Sequence, residues 1–223
     1  MIDTEKFQQI TTLDRGAHDA DSGALCAMEA VAWIAGEPWS DAPQCASPVI
    51  SQFMRSWNDV LPDADRTRVL MPLLPEIIGT RTTKTDEQTR AWMATDWVVR
   101  VYTPRWLRQA GLIDHAVRLE RLDQLMDDAT AIASKQTLSA AVDAAAAVDA
   151  AWAAAAARDA AWAAAWAAAG DAARAAAWAA ARAVAWDALA PAVAELQTSA
   201  QDLVRRMCAV GRVAAAEQEV QGE

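Results

Sequence analysis

The densest set of reactive side chains lies near the N-terminus: His18, Asp19, Asp21, Cys26, Glu29, Glu37, Asp41 and Cys45. Cys26 and Glu29 are three residues apart, one turn on a helix, and His18 is near enough in sequence to fold back over that helix's start. Imidazole, thiolate and carboxylate are the donor types that zinc takes, so His18, Cys26, Glu29 and Cys45 are the candidate metal ligands. Their spacing follows no established zinc motif, and Cys26 sits among apolar neighbours, where a small buried thiol is the ordinary role. Weighed together, the residues favour packing and capping, and no cofactor is expected.

Other chemistry is thinner. A Cys26/His18 nucleophile pair needs an orienting group and an oxyanion site, neither of which the sequence displays. His115 follows Asp114 at a helix start and reads as an exposed cap residue. Glycine-rich phosphate loops, HExxH and GxSxG are all absent from the chain. Three cysteines, Cys26, Cys45 and Cys208, stand far apart with no CxxC pair, which argues against a disulfide framework.

The chain carries a net charge of −10, so phosphate backbones are not its default partners. Acids dominate residues 1–64, and residues 65–130 are balanced. Eleven tryptophans invite a base-stacking reading. Trp92, Trp97 and Trp106 lie nearest to arginines and are where a nucleic-acid surface would be sought. The tryptophans of 152–186 are surrounded by alanine and read as packing or contact residues, so nucleic acid is disfavoured.

The elements that must position these residues read as helices throughout. Ser22 can cap a helix through Leu25, Met28, Val31 and Ala32, and Gly36 with Pro38 stops it. Ser47-Pro48 opens a second helix through Phe53 and Trp57. Asp63 or Asp65 starts a third, which Pro72 and Pro75 kink or divide. Thr85 with Gln88 suggests a capping box for a fourth. Thr103-Pro104 opens a short helix ending at Gly111. Asp114 begins another, through Val117, Leu125, Met126 and Ile132.

Alanine makes up 57 of the 223 residues, and 32 of those lie between Ala141 and Ala190. Alanine loses no side-chain entropy in a helix, so helix is nearly forced there. Residues 159–170 (DAAWAAAWAAAG) and 171–182 (DAARAAAWAAAR) repeat with a period of 12, and Gly170-Asp171 is the expected break. Beyond it Leu189, Val193, Leu196, Ala200, Leu203, Met207 and Val210 form a heptad seam.

The expectation is an all-α chain of seven to nine helices. An irregular segment, 1–21, precedes a helical globular half, 22–136. Long Ala/Trp-rich helices ending in the heptad helix occupy 137–212, and 213–223 is a frayed tail. No signal peptide is visible at Met1-Ile2-Asp3-Thr4-Glu5-Lys6 and no apolar run is long enough to span a bilayer, so no membrane and a cytoplasmic setting are expected.

The segment GALCAMEAVAWIAGEPWSDAPQCASPVI (23–50), followed by RSWNDVLP (55–62), resembles the opening of a family of Ala/Trp-rich helical proteins of high-GC bacteria and their phages. DALAPAVAELQTSAQDLVRRM (187–207) resembles that family's C-terminal part. No activity is assigned to the family, so the resemblance implies a helical fold and no catalytic residues. The alanine-rich half is also similar in composition to helical families of immunity proteins.

The functional expectation is a non-enzymatic helical protein that binds another protein, as an inhibitor or immunity-type factor of a phage or mobile element. Its contact residues are expected to be Trp152, Trp162, Trp166, Trp178, Trp186, Leu196, Leu203 and Met207. The alternatives are a metal-dependent enzyme centred on the N-terminal cluster and a self-associating structural protein, for instance a homodimer.

Overall fold

The computed structural model describes residues 2–166 and 171–212, with side chains described outside 148–188. Among these residues the fold is all-α, with no strand. Setting aside the short α1 (Thr4–Gln9) and the single-turn α5 (Leu74–Ile77), eight α-helices remain, within the expected range. The chain divides into two compact units: Met1–Thr95 with Gln197–Glu223, and Asp96–Leu196. The heptad helix is therefore shared between the units, and its C-terminal part belongs with the N-terminal half.

Local chemistry sets most helix ends in the first unit. α1 falls inside the segment expected to be irregular, because Asp3 accepts the Lys6 N–H at 3.0 Å and caps it. α2 spans Ala27–Ala35, starting later than Ser22 suggests. Ser22 turns its hydroxyl to the Asp19 carbonyl, while Cys26 and Glu29 form a reciprocal capping box. Gly36 ends α2 in the left-handed conformation at φ 73°, where a side chain would be strained.

Ser47 and Pro48 open α3 (Pro48–Val60) as the sequence predicts. α4 (Asp63–Leu70) passes into a 3₁₀ turn, Met71–Leu73, and then α5, so the prolines divide this stretch. α6 spans Lys84–Trp97, and its box is Thr83 with Asp86 rather than Thr85 with Gln88. The core of this unit gathers Met28, Ile34, Ile50, Met54, Leu70, Leu73, Leu74 and Ile77 with Leu203, Val204 and Met207.

In the second unit α6 runs into one π-helical turn, Val98–Tyr102, ahead of α7 (Thr103–Gln109). Pro104 has no N–H to give back to the preceding turn, and a wider turn accommodates that loss. α8 covers Ile113–Glu120, with Leu112 as its cap and Asp114 inside its first turn. The single helix expected from Asp114 through Ile132 is broken. Asp96 accepts the Leu125 N–H at 2.9 Å, and Arg100 donates to the Leu122 carbonyl at 3.0 Å. Asp127 then caps a new helix by accepting the Thr130 N–H at 2.8 Å. That helix, α9, spans Asp128–Trp166, and α10 spans Asp171–Ala209 with Pro191 inside it. The expected break at Gly170-Asp171 falls at the edge of the described residues: α10 opens at Asp171, and Gly170 lies outside them.

Candidate functional site

The N-terminal cluster assembles in part. The buried Glu29 carboxylate accepts the His18 N–H at 2.6 Å on one oxygen and the Cys26 N–H at 2.7 Å on the other. The second oxygen also takes the His18 Nδ1–H, 3.0 Å away. Trp39 Nε1–H donates to the His18 carbonyl at 2.7 Å, which fixes that loop from its other side. Asn58 adds bonds to the Asp14 carbonyl and from the Ala27 N–H. Glu29 thus spends its oxygens on backbone donors that would otherwise be buried without partners.

The four candidate ligands do not all come together. Cys26 sits at the cap of α2, whereas Cys45 lies beside Glu37, with its carbonyl accepting the Gly79 N–H at 2.9 Å. Among the described residues no three His, Cys, Asp or Glu side chains come together in a group able to hold a metal ion.

The thiols are poor nucleophiles. Burial, aided by the nearby Glu29 charge, pushes Cys26 up to about 12, and burial likewise pushes Cys208 up to about 12. Burial and a hydrogen bond to Glu37 push Cys45 up to about 11. Only the thiolate reacts, and at pH 8 a thiol at about 11 is roughly one part in a thousand thiolate. Iodoacetamide at pH 8 should therefore leave the folded chain unlabelled for long after the urea-unfolded chain is fully alkylated. Half-buried Cys45 should react first. Fast labelling of Cys26 or Cys208 in intact-protein mass spectra would contradict this.

An open cleft of about 600 Å³ borders the cluster, lined by Thr12, Arg15, His18, Arg66 and Thr67 among others. Arg66 is buried and already engaged: its guanidinium donates to the carbonyls of Asn58 and Leu61 and pairs with Asp63 at 2.7 Å. Thr67 accepts the Leu13 N–H at 2.9 Å. Most of this polar wall is therefore what holds the loop from Ile10 to Leu25 against α2–α4.

Several aromatic and arginine residues of the second unit are also engaged, although the buried Trp106 Nε1–H and Arg105 Nε–H have no hydrogen-bond partner among the described residues. Trp97 is buried, with ring centroids 5.4 Å from Tyr102, and Tyr102 meets Trp106 edge-on at 6.1 Å. Arg100 forks onto Asp96 at 2.7 and 3.0 Å, and Arg108 onto Glu120 at 3.0 and 2.6 Å. Arg105 pairs with Glu195. Bidentate carboxylate pairing occupies the same fork that would grip a phosphate.

The contact residues expected from sequence divide. Trp152, Trp162, Trp166, Trp178 and Trp186 fall outside the described side chains. Leu196, Leu203 and Met207 are buried within the chain itself, whereas Leu189, Val193 and Val210 of the same seam are half-buried. What faces outward is a stripe at the start of α9. Ile132 is 72% exposed and Val142 65% exposed, and Met126 just before the helix is 60% exposed. Asp128, Ala131, Ile132, Lys135, Leu138 and Val142 line a surface recess of about 600 Å³ along this face. Their positions step by three and four, a signal present in the sequence but hidden when Ile132 is assigned to the helix before it.

No family model, no curated protein and no solved structure matches the chain. Among the described residues no helix is long and apolar enough to cross a membrane.

Proposed function

We propose that this chain acts by protein contact, without catalysis, and that the outward stripe of α9 is its contact surface. The observation that carries this reading is the exposed pair Ile132 and Val142, with half-buried Leu138 between them, on one face of a helix whose capped start is fixed by Asp127 and Thr130. Covering an exposed isoleucine or valine is worth about 1.5–3 kcal/mol. A rigid helix presenting several of them gives a partner much of its binding free energy for little ordering cost. The engaged state of the N-terminal cluster and of the three thiols supports the non-catalytic part.

The test compares the intact chain with the Ile132→Glu/Val142→Glu variant. Both sites are exposed, so helicity and unfolding midpoint should change little. Hydrogen exchange over 128–142 should be slowed by whatever binds the native chain, with that protection lost in the variant. Equal exchange and equal binding in both proteins would overturn the reading.

A further inference from the structure

The stripe on α9 is not only apolar. Asp128 and Lys135 stand on it two helical turns apart, both exposed, and neither makes an ion pair among the described residues. Seven residues is one heptad, so the two charges lie on one edge with Ala131 and Ile132 between them.

We propose that the partner of this face is a second copy of the chain, with the two α9 helices antiparallel and Asp128 of each copy beside Lys135 of the other. This rests on the contact reading given above. The charge order selects the arrangement. In a two-fold pair each surface meets itself. Parallel helices in register would set Asp128 against Asp128 and Lys135 against Lys135, which repel. An antiparallel pair whose axis crosses near Ile132 sets Asp128 against Lys135 twice. The small Ala131 beside the axis admits close approach, and Ile132 from each copy fills the centre. Met126 of each copy then reaches Leu138 of the other, so Met126, Ile132 and the unpaired charges are covered by the same contact, and Val142 lies beyond it. At 1.5 Å per residue the two helices overlap over roughly 10 Å, from Asp128 to Lys135.

Size-exclusion chromatography with light scattering, over a dilution series of the full chain, tests this with charge swaps. The native chain should run as a dimer that dissociates on dilution. Asp128→Lys alone and Lys135→Asp alone should each raise the dimer dissociation constant about ten-fold or more, since two attractions become two repulsions. The double swap should restore the native value. Mixing the two single variants should give a heterodimer more stable than either homodimer, because every facing pair is then opposite in sign. A monomeric native chain at every concentration overturns the proposal, and so does a dimer indifferent to both single swaps. The contact reading is judged separately. If the native chain is monomeric but binds another protein through a face that Ile132→Glu/Val142→Glu destroys, self-pairing is wrong and contact stands. If that variant changes no binding, both fall.

Discussion

Arg90→Ala should lower folding stability by about 3–5 kcal/mol, the range seen when one partner of a buried charged network is removed. The Arg90 side chain is fully buried in α6. Its Nε–H donates to the Met207 carbonyl at 3.0 Å, and Nη2 donates to the Val210 carbonyl at 2.7 Å. Nη1 meets Thr82 at 3.0 Å and Glu87 at 2.7 Å. The last carbonyls of a helix have no partners inside it and carry its negative end. One guanidinium therefore caps α10 from a position 117 residues earlier in the chain.

The consequences spread along bonds that can be followed. Glu87 also accepts the Ser47 hydroxyl at 2.5 Å, and Ser47 caps α3. Beyond the cap, Gly211 sits at φ 81°, where an added Cβ would lie 2.9 Å from Asp86 Oδ2. Arg212 donates to the carbonyls of Glu76 and Ile78. Without Arg90 the Glu87 carboxylate keeps only its hydroxyl partner, the Met207 carbonyl keeps only the Val210 N–H at 3.3 Å, and the Val210 carbonyl just past α10 loses its guanidinium donor. Arg90→Lys should recover less than half of the loss, because an ammonium is a point donor and cannot span the same four acceptors as a planar fork. Urea unfolding followed by circular dichroism measures the loss, and hydrogen exchange locates it in Leu203–Val210. A cost below about 1 kcal/mol for the alanine variant would refute the capping role.

Arg90 also shows what the sequence conceals. It is one of ten bases in a charge-balanced stretch, and nothing near it in sequence marks it as buried. Local signals were legible: Ser47-Pro48, Gly36, and the prolines at 72 and 75 each stop or start a helix by rules that act over four residues. Non-local ones were not. The break after α8 depends on Asp96 holding the Leu125 N–H, a bond across 29 residues. The heptad seam was visible as a pattern, but a pattern of buried faces does not say whether the covering partner is another chain or the same one. Here Leu203 and Met207 belong to the core of the first unit. At the N-terminus the residue types were read correctly and three of them, His18, Cys26 and Glu29, do meet. The chemistry differs because a buried carboxylate beside two unpartnered N–H groups is captured by the backbone before a ligand can claim it.

Glu29 supplies the second large effect. Glu29→Ala should cost about 3–4 kcal/mol, since it leaves the His18 and Cys26 N–H groups buried without acceptors and frees the His18 ring. Hydrogen bonds to a charged acceptor are worth about 1.5–3 kcal/mol each and are not additive within one network. Glu29→Gln separates shape from charge. The amide keeps one acceptor oxygen but turns an NH₂ toward either His18 N–H or Cys26 N–H, setting donor against donor, so it should still cost about 2 kcal/mol. In both variants the loop from Ile10 to Leu25 should open to limited proteolysis while the α3–α5 core stays protected, because Leu13, Gly16 and Asp14 retain their own bonds to Thr67, Asp59 and Asn58. Those retained bonds set the order of events: the loop loosens at His18 first and at Leu13 last. Cleavage beginning near Leu13, or a glutamine variant as stable as the native chain, would show that the capping box of α2 does not depend on this carboxylate.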